Sequence, residues 1–214
     1  MTRFILVRHG QTVWNREERF RGRADVSLDE IGRRQAEATG RRIAAGWRPA
    51  AIYCSPMIRA RQTAEAIAGA LGAAPLARLA VQTHSGLSDI DFGALQGLTV
   101  EEARAGWPAV VDSWLTAPQT TLFPGGESLS ELRSRATAML AELAERHDGQ
   151  ELVLVGHTVV NRVILLAVMG LGLDRFWRLT QDTCAINVFD SDQGGYTVVS
   201  VNDTCHLRDL DAGR

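Results

Sequence analysis

Phe4-Ile5-Leu6-Val7-Arg8-His9-Gly10-Gln11-Thr12 is the stretch that decides the fold. Four apolar residues in a row, short and flanked by polar ones, predict a strand buried on both faces. An arginine, a histidine and a glycine follow where the strand runs out. The same arrangement returns downstream: Leu152-Val153-Leu154-Val155 leads into Gly156-His157-Thr158 and then a helical pattern from about Val159 to Met169. In an open α/β sheet, ligands collect at the carboxyl edge of the strands. Two histidines at equivalent strand ends can face one another there.

Working outward, strand-length apolar runs alternate with helical patterns. Ser27-Leu28-Asp29-Glu30 has capping-box spacing and predicts a helix to about Ala45. Ala51 to Cys54 reads as a second strand, with Pro56 in the first turn of a helix reaching about Leu71. Leu76 to Gln82 is a third strand candidate. Thr99-Val100-Glu101-Glu102 and Ser128-Leu129-Ser130-Glu131 repeat the capping box, the second opening a helix to about Arg146. Ala185 to Phe189 and Tyr196 to Val201 read as a final strand pair. The expectation is a three-layer α/β sandwich: a mostly parallel central sheet with helices on both faces. One domain spans 1–214, and 98–126, which breaks the alternation, is a helical insertion over the active edge.

Composition narrows the chemistry. The chain has 214 residues and a formal net charge of −2, which leaves no electrostatic footprint for nucleic acid. All 23 basic residues are arginine. Without lysine there is no Schiff base, no pyridoxal-phosphate anchor, no Walker-type phosphate lysine and no protein-kinase strand lysine. Cys54, Cys184 and Cys205 are too far apart for a cysteine-rich zinc site and fit a reducing compartment. The apolar stretch at the start is too short for a signal h-region, and Val163 to Leu173 is well short of a membrane span. The expectation is a cytoplasmic protein that needs no membrane, with a homodimer left open.

Ser55-Pro56-Met57-Ile58-Arg59 follows the second strand and brings another arginine to the same edge. Two arginines, two histidines and a helix N-terminus make an anion site, most naturally for a phosphoryl group. A histidine beside bound phosphate can attack phosphorus and become phosphohistidine, provided a carboxylic acid protonates the leaving oxygen.

Arg8-His9-Gly10-Gln11-Thr12, followed by Trp14-Asn15, resembles the signature of the histidine phosphatase superfamily, also called phosphoglycerate mutase-like. Gly22, Asp25, Leu28, Gly32 and Gln35-Ala36 match its next segment, and Ser55-Pro56, Arg59-Ala60 and Gln62-Thr63-Ala64 the one after. Leu87 to Gly97, Phe123 to Ser128 and Gly156-His157 complete a resemblance that runs through nearly the whole chain. It implies that His9 is the nucleophile, that Arg8, Arg59 and His157 hold the phosphate oxygens, and that Asp89 is the general acid. Asn15 and the backbone N–H of Thr158 add hydrogen bonds, and Gly22 and Arg21 belong to the substrate-binding segment.

The chain departs from the family pattern at four places. Aspartate stands at 89 where glutamate is usual, with Asp91 as the rival acid. Leu95-Gln96-Gly97 replaces a common W-E-G. Arg21 replaces a common glutamine and forms an expected arginine cluster with Arg19 and Arg23 near the substrate mouth. Thr158-Val159 replaces glycines and is expected to narrow the pocket beside His157. His84, His147 and His206 match no catalytic position; His147 is expected to end a helix. Trp107 and Trp114 are candidates to line a lid.

The implied function is a phosphatase that needs no metal or diffusible cofactor and acts on a small phosphorylated metabolite. The alternative is a cofactor-dependent phosphoglycerate mutase, but the mutases carry a longer insertion than the about sixty residues between Gly97 and His157. A non-catalytic phosphate-binding domain would be expected to lose His9 or His157. Sugar phosphates, phosphoglycerates and α-ribazole phosphate remain open as substrates.

Overall fold

The computed structural model describes residues 1–72 and 79–211. Its sheet has strand order β3-β2-β4-β1-β5-β6, with β1 Thr2–Arg8, β2 Ala51–Cys54, β3 Val81–Thr83, β4 Glu151–Gly156, β5 Ile186–Asp192 and β6 Gly195–Asp203. The first four strands run parallel to one another, β5 is antiparallel to β1, and β6 is antiparallel to β5 at the sheet edge. The third strand is shorter and later than expected; residues 76–78 of that reading lie outside the described residues.

The unbroken apolar runs are explained by two covered faces. Phe4, Leu6, Leu152 and Leu154 point into one core with α6 (Leu129–Arg146) and α7 (Thr158–Val168). Ile5, Val7, Val153 and Val155 point the other way, against α2 (Glu30–Gly46) and α3 (Ile58–Leu71). Every other residue serves a different layer, so neither face tolerates a polar side chain.

Within 98–126, α4 is Val100–Gly106 and α5 is Pro108–Thr116, followed by a short 3-10 turn. Both capping boxes form, at Thr99 and at Ser128. Ala103, Val111, Trp114 and Phe123 join the same apolar cluster as the sheet's α6–α7 face.

Two expected helix starts move. The cap of α2 is Asp29, not Ser27: its Oδ1 accepts from Gly32 N–H at 2.8 Å. Asp29 is tied to the loop after β1 through the Gln11 carbonyl and the Gln11 amide, both at 3.0 Å, and these contacts set the start two residues later. Pro56 precedes rather than opens α3, whose first N–H, at Ile58, is capped from a distant loop by Asp25 Oδ1 at 2.7 Å. Gly10 and Gly32 are required by closeness: a Cβ on Gly32 would sit 2.1 Å from the Gln11 carbonyl oxygen. No helix among the described residues is long and apolar enough to cross a membrane.

Candidate active site

Strand register builds the site. β1 and β4 are parallel neighbours in which Arg8 pairs with Gly156, so His9 and His157 each stand one residue beyond a matched pair. Their rings meet with centroids 5.0 Å apart. The His9 N–H donates to the Gly156 carbonyl at 3.0 Å, locking the two strand ends together.

Hydrogen bonds set both imidazoles. His9 Nδ1 lies 2.6 Å from the Gly10 carbonyl oxygen. A carbonyl only accepts, so Nδ1 carries the proton and Nε2 keeps a lone pair. His157 Nδ1 accepts from Arg59 Nε at 3.1 Å, which puts its proton on Nε2. That Nε2–H is buried with no partner. Burial, reinforced by Arg59, Arg8 and Arg21, holds His9 well below the usual histidine range. His157 is lowered the same way by burial, Arg59 and His9. Both rings are therefore neutral at pH 7.

Arg59 is wholly buried and gives three of its five N–H donors to protein groups. Besides His157 it donates to the Ala24 carbonyl at 2.6 Å and the Gly22 carbonyl at 2.7 Å. Gly22 has φ +47°, and a Cβ there would meet the Ile90 carbonyl oxygen at 2.9 Å. The structure thus gives Gly22 a backbone task, holding Arg59. Arg8 donates to the Gln181 carbonyl and leaves its Nε buried and unpartnered. Burial lowers Arg8 to about 9 and Arg59 to about 10, so both stay charged at neutrality in a crowded positive field that an anion relieves.

Beside this floor lies a cavity of about 550 Å3, lined in part by Arg8, Asn15, Arg21, Asp89 and Thr158. Asp89 is 4% exposed and accepts the Val160 N–H at 3.4 Å, at the start of α7. Burial pushes its carboxyl above the usual carboxylate range, against the opposing pull of Arg59 and Arg21. Asp91 faces elsewhere: it caps Gly93 N–H at 2.9 Å and pairs with Arg23 at 3.3 Å. Asn15 Oδ1 accepts from the Thr12 N–H at 2.9 Å and its hydroxyl at 2.8 Å. Thr158 and Val159 both line the cavity, as their expected narrowing of it requires.

Of the expected arginine cluster, Arg19 and Arg21 line the cavity and Arg23 does not. Arg19 turns to Glu17, Glu102 and the Gly97 carbonyl, and Arg23 to Asp91 and Glu127. Arg21 donates to the Trp14 carbonyl at 3.1 Å, and its charge acts on Asp89, His9 and Arg8. The lid expectation is corrected as well: Trp114 lines the cavity, while Trp107 is 39% exposed and does not. His147 caps α6 as expected, and its ring bonds the Tyr53 hydroxyl at 2.9 Å.

Two arginines escaped the sequence reading. Arg135 of α6 holds Glu127 at 2.6 Å and donates to the carbonyls of Ser85, Gly86, Ser88 and Asp89 at 2.8 to 3.1 Å, so it clamps the loop that carries Asp89. Arg162 of α7 lines the cavity with its guanidinium over Phe176 and Trp177. The available signal was a lone charge in an otherwise apolar helix, Val159 to Val168. Among the described residues, no group of three or more His, Cys, Asp or Glu is placed to hold a metal ion.

This geometry agrees with the comparisons. A profile described as the histidine phosphatase superfamily (branch 1) matches residues 4–204. Phosphoserine phosphatase 1 of Hydrogenobacter thermophilus is 33% identical over 207 residues, 97% of this chain and 95% of its own length. Among solved structures, Bacillus stearothermophilus YhfR has a TM-score of 0.89 at 30% identity, covering 97% of this chain and 100% of that one. A phosphoserine phosphatase variant of Entamoeba histolytica, in complex with phosphoserine, has a TM-score of 0.84 at 26% identity and covers 97% of this chain and 100% of its own. The chain belongs to the histidine phosphatase superfamily. It is a phosphoric monoester hydrolase that acts on a small phosphorylated substrate.

Proposed function

We propose that hydrolysis runs through a phosphohistidine on His9 Nε2. The Nε2 lone pair attacks phosphorus, the bond from phosphorus to the ester oxygen breaks, and the Asp89 carboxyl gives that oxygen its proton. Water then attacks the phosphohistidine. The Asp89 carboxylate takes the water's proton, the N–P bond breaks, and phosphate leaves with His9 neutral again. Arg8, Arg59 and His157 Nε2–H hold the phosphoryl oxygens as negative charge builds on them. Asn15 and the N–H of Thr158 add neutral donors, and Arg21 adds charge. Asp89 is the acid because it lines the cavity and burial favours its protonated form, whereas Asp91 is spent on a turn.

The observation that carries this reading is the pair of tautomers. The Gly10 carbonyl leaves His9 Nε2 as an acceptor, and Arg59 leaves His157 Nε2 as a donor, with the rings 5.0 Å apart. One is set to attack an anion and the other to hold it. The relatives named phosphoserine phosphatase make O-phosphoserine the first substrate to try. The test is rapid quench with 32P-labelled substrate. Label should appear on a peptide containing His9, stable in alkali and lost in acid. Turnover without any acid-labile enzyme label would overturn the mechanism.

A further inference from the structure

Arg162 has no task in the phosphoryl chemistry, yet it is held as firmly as the residues that do. It stands four residues after Thr158 on α7, which places it one helical turn, about 6 Å, along the axis from the phosphate end. Its guanidinium lies 5.1 Å from the ring centroids of both Phe176 and Trp177. Those two rings meet edge-on at 4.9 Å, and Trp177 is fixed by its Nε1–H to the Trp114 carbonyl at 2.8 Å. Two perpendicular aromatic faces thus fix the plane of the fork. Among the described residues, none takes up its donors. Its Nε is buried without a partner, and it forms no ion pair among the described residues. The one carboxylate acting on it electrostatically, Asp182, accepts a hydrogen bond from Asn202 Nδ2 at 2.7 Å. A half-buried, oriented guanidinium whose Nε is buried without a partner is costly unless a ligand completes it.

We propose that Arg162 is the receptor for a carboxylate on the leaving group, and that the substrate is a short phosphorylated acid. This rests on the phosphatase reading above, since it needs the phosphoryl group anchored by Arg8 and His157. A planar fork matches a carboxylate with two parallel hydrogen bonds. The charge balance favours a monoanion over a second phosphate. With Asp89 as the protonated acid, Arg8, Arg19, Arg21 and Arg162 line the cavity against Glu18 and Asp182, so little positive charge remains once phosphate is bound. The rings behind Arg162 and the Val159 side chain leave the body of the substrate an apolar wall.

The test compares substrates that differ only in the carboxylate: O-phosphoserine against O-phosphoethanolamine, and 3-phosphoglycerate against glycerol 3-phosphate. The wild type should favour each acid by about tenfold to a hundredfold in kcat/KM, the range for a hydrogen bond to a charged group. Arg162→Met keeps an unbranched stem against the rings and should bring both ratios close to one. Arg162→Lys, a charge without the fork, should fall between. The same ratios are measured as Kd by calorimetry on His9→Ala, with and without Arg162→Met, so that binding is read apart from turnover. Acid-to-alcohol ratios unchanged by Arg162→Met in both assays would overturn the subsite even if phosphohistidine forms. A preference for fructose 1,6-bisphosphate that Arg162→Met abolishes, with no preference for the acids, would also overturn it. Failure to detect phosphohistidine, with the ratios collapsing in Arg162→Met, would instead leave the subsite standing and overturn the mechanism.

Discussion

The floor and the roof of this cavity are built by different means. In the floor, main chain does the positioning: the β1–β4 register sets His9 beside His157, and carbonyls of Gly10, Gly22, Ala24 and Gln181 hold His9, Arg59 and Arg8. In the roof, side chains hold one another. Phe92, Trp114, Phe176 and Trp177 form a chain of edge-on and tilted ring contacts at 4.9 to 5.8 Å. Main-chain positioning cannot be altered one residue at a time, while ring packing can. The floor therefore suits the invariant step, attack on phosphorus, and the roof suits the choice of leaving group. Substitutions in the floor should lower kcat for every substrate, and those in the roof should change substrate ratios.

The largest effect should come from the floor. His9→Ala removes the nucleophile and should lower kcat on the order of a thousandfold or more, for aryl and alkyl phosphates alike. A steady-state assay with p-nitrophenyl phosphate and an alkyl phosphate checks this. An effect confined to one of them would break the contrast.

Asp89→Asn comes next. An alkoxide leaving group needs a proton and p-nitrophenolate hardly does, so loss should be on the order of a hundred- to ten-thousand-fold for the alkyl ester and mild for the aryl one. The alkaline limb of kcat/KM should flatten. Stability should move the other way. Burial raises Asp89, so above the free aspartate value of about 3.9 the folded state keeps a proton that the unfolded state has released. Stability is then lost as pH rises toward the folded pKa. Removing this carboxyl should raise Tm at pH 7. His9 and His157 have the opposite sign. They are held below their ordinary value, so stability falls as pH drops beneath about 6.5, where the unfolded chain takes up protons first. Thermal scans from acid to neutral pH, with and without Asp89, separate the two contributions.

The floor was largely legible in the sequence and the roof was not. Phe4 to Val7 and Leu152 to Val155 announced buried strands, and a residue directly after a strand has its place set by register alone. So Arg8, His9 and His157 could be placed without side-chain packing, and Arg59 came from the segment after β2. The roof depends on contacts between distant segments, such as Trp177 with Trp114 and Arg162 with Phe176, which no local spacing encodes. The same cause moved the start of α2, where tertiary bonds from Gln11 outweighed the capping-box pattern at Ser27.

Arg135 joins floor and roof, and its removal tests how far the acid depends on its loop. It touches neither the cavity nor His9; it acts through the carbonyls of Ser88 and Asp89. Arg135→Met should lower kcat for an alkyl phosphate by about tenfold, a modest share of what the acid supplies. Hydrolysis of p-nitrophenyl phosphate should fall less. Equal loss on both would mark it as merely structural.

The smallest effect belongs to Arg21, and it is best read as a shift along the pH axis. Among the described residues its guanidinium bonds only the Trp14 carbonyl, yet its charge lowers Asp89 and His9 together. With Arg21→Gln the charge goes and the hydrogen-bonding amide stays. Asp89 should then hold its proton to higher pH, moving the alkaline limb of kcat/KM upward. His9 should take up a proton more readily, moving the acid limb upward too. The whole bell is expected to slide to higher pH with its width nearly kept, and KM to rise a few-fold because one charge facing the phosphoryl group is lost. A change in KM with both limbs fixed would place Arg21 on the substrate's far end, among the residues of the roof. A displaced bell places it with the floor, although it stands in a loop that the sequence assigned to the mouth.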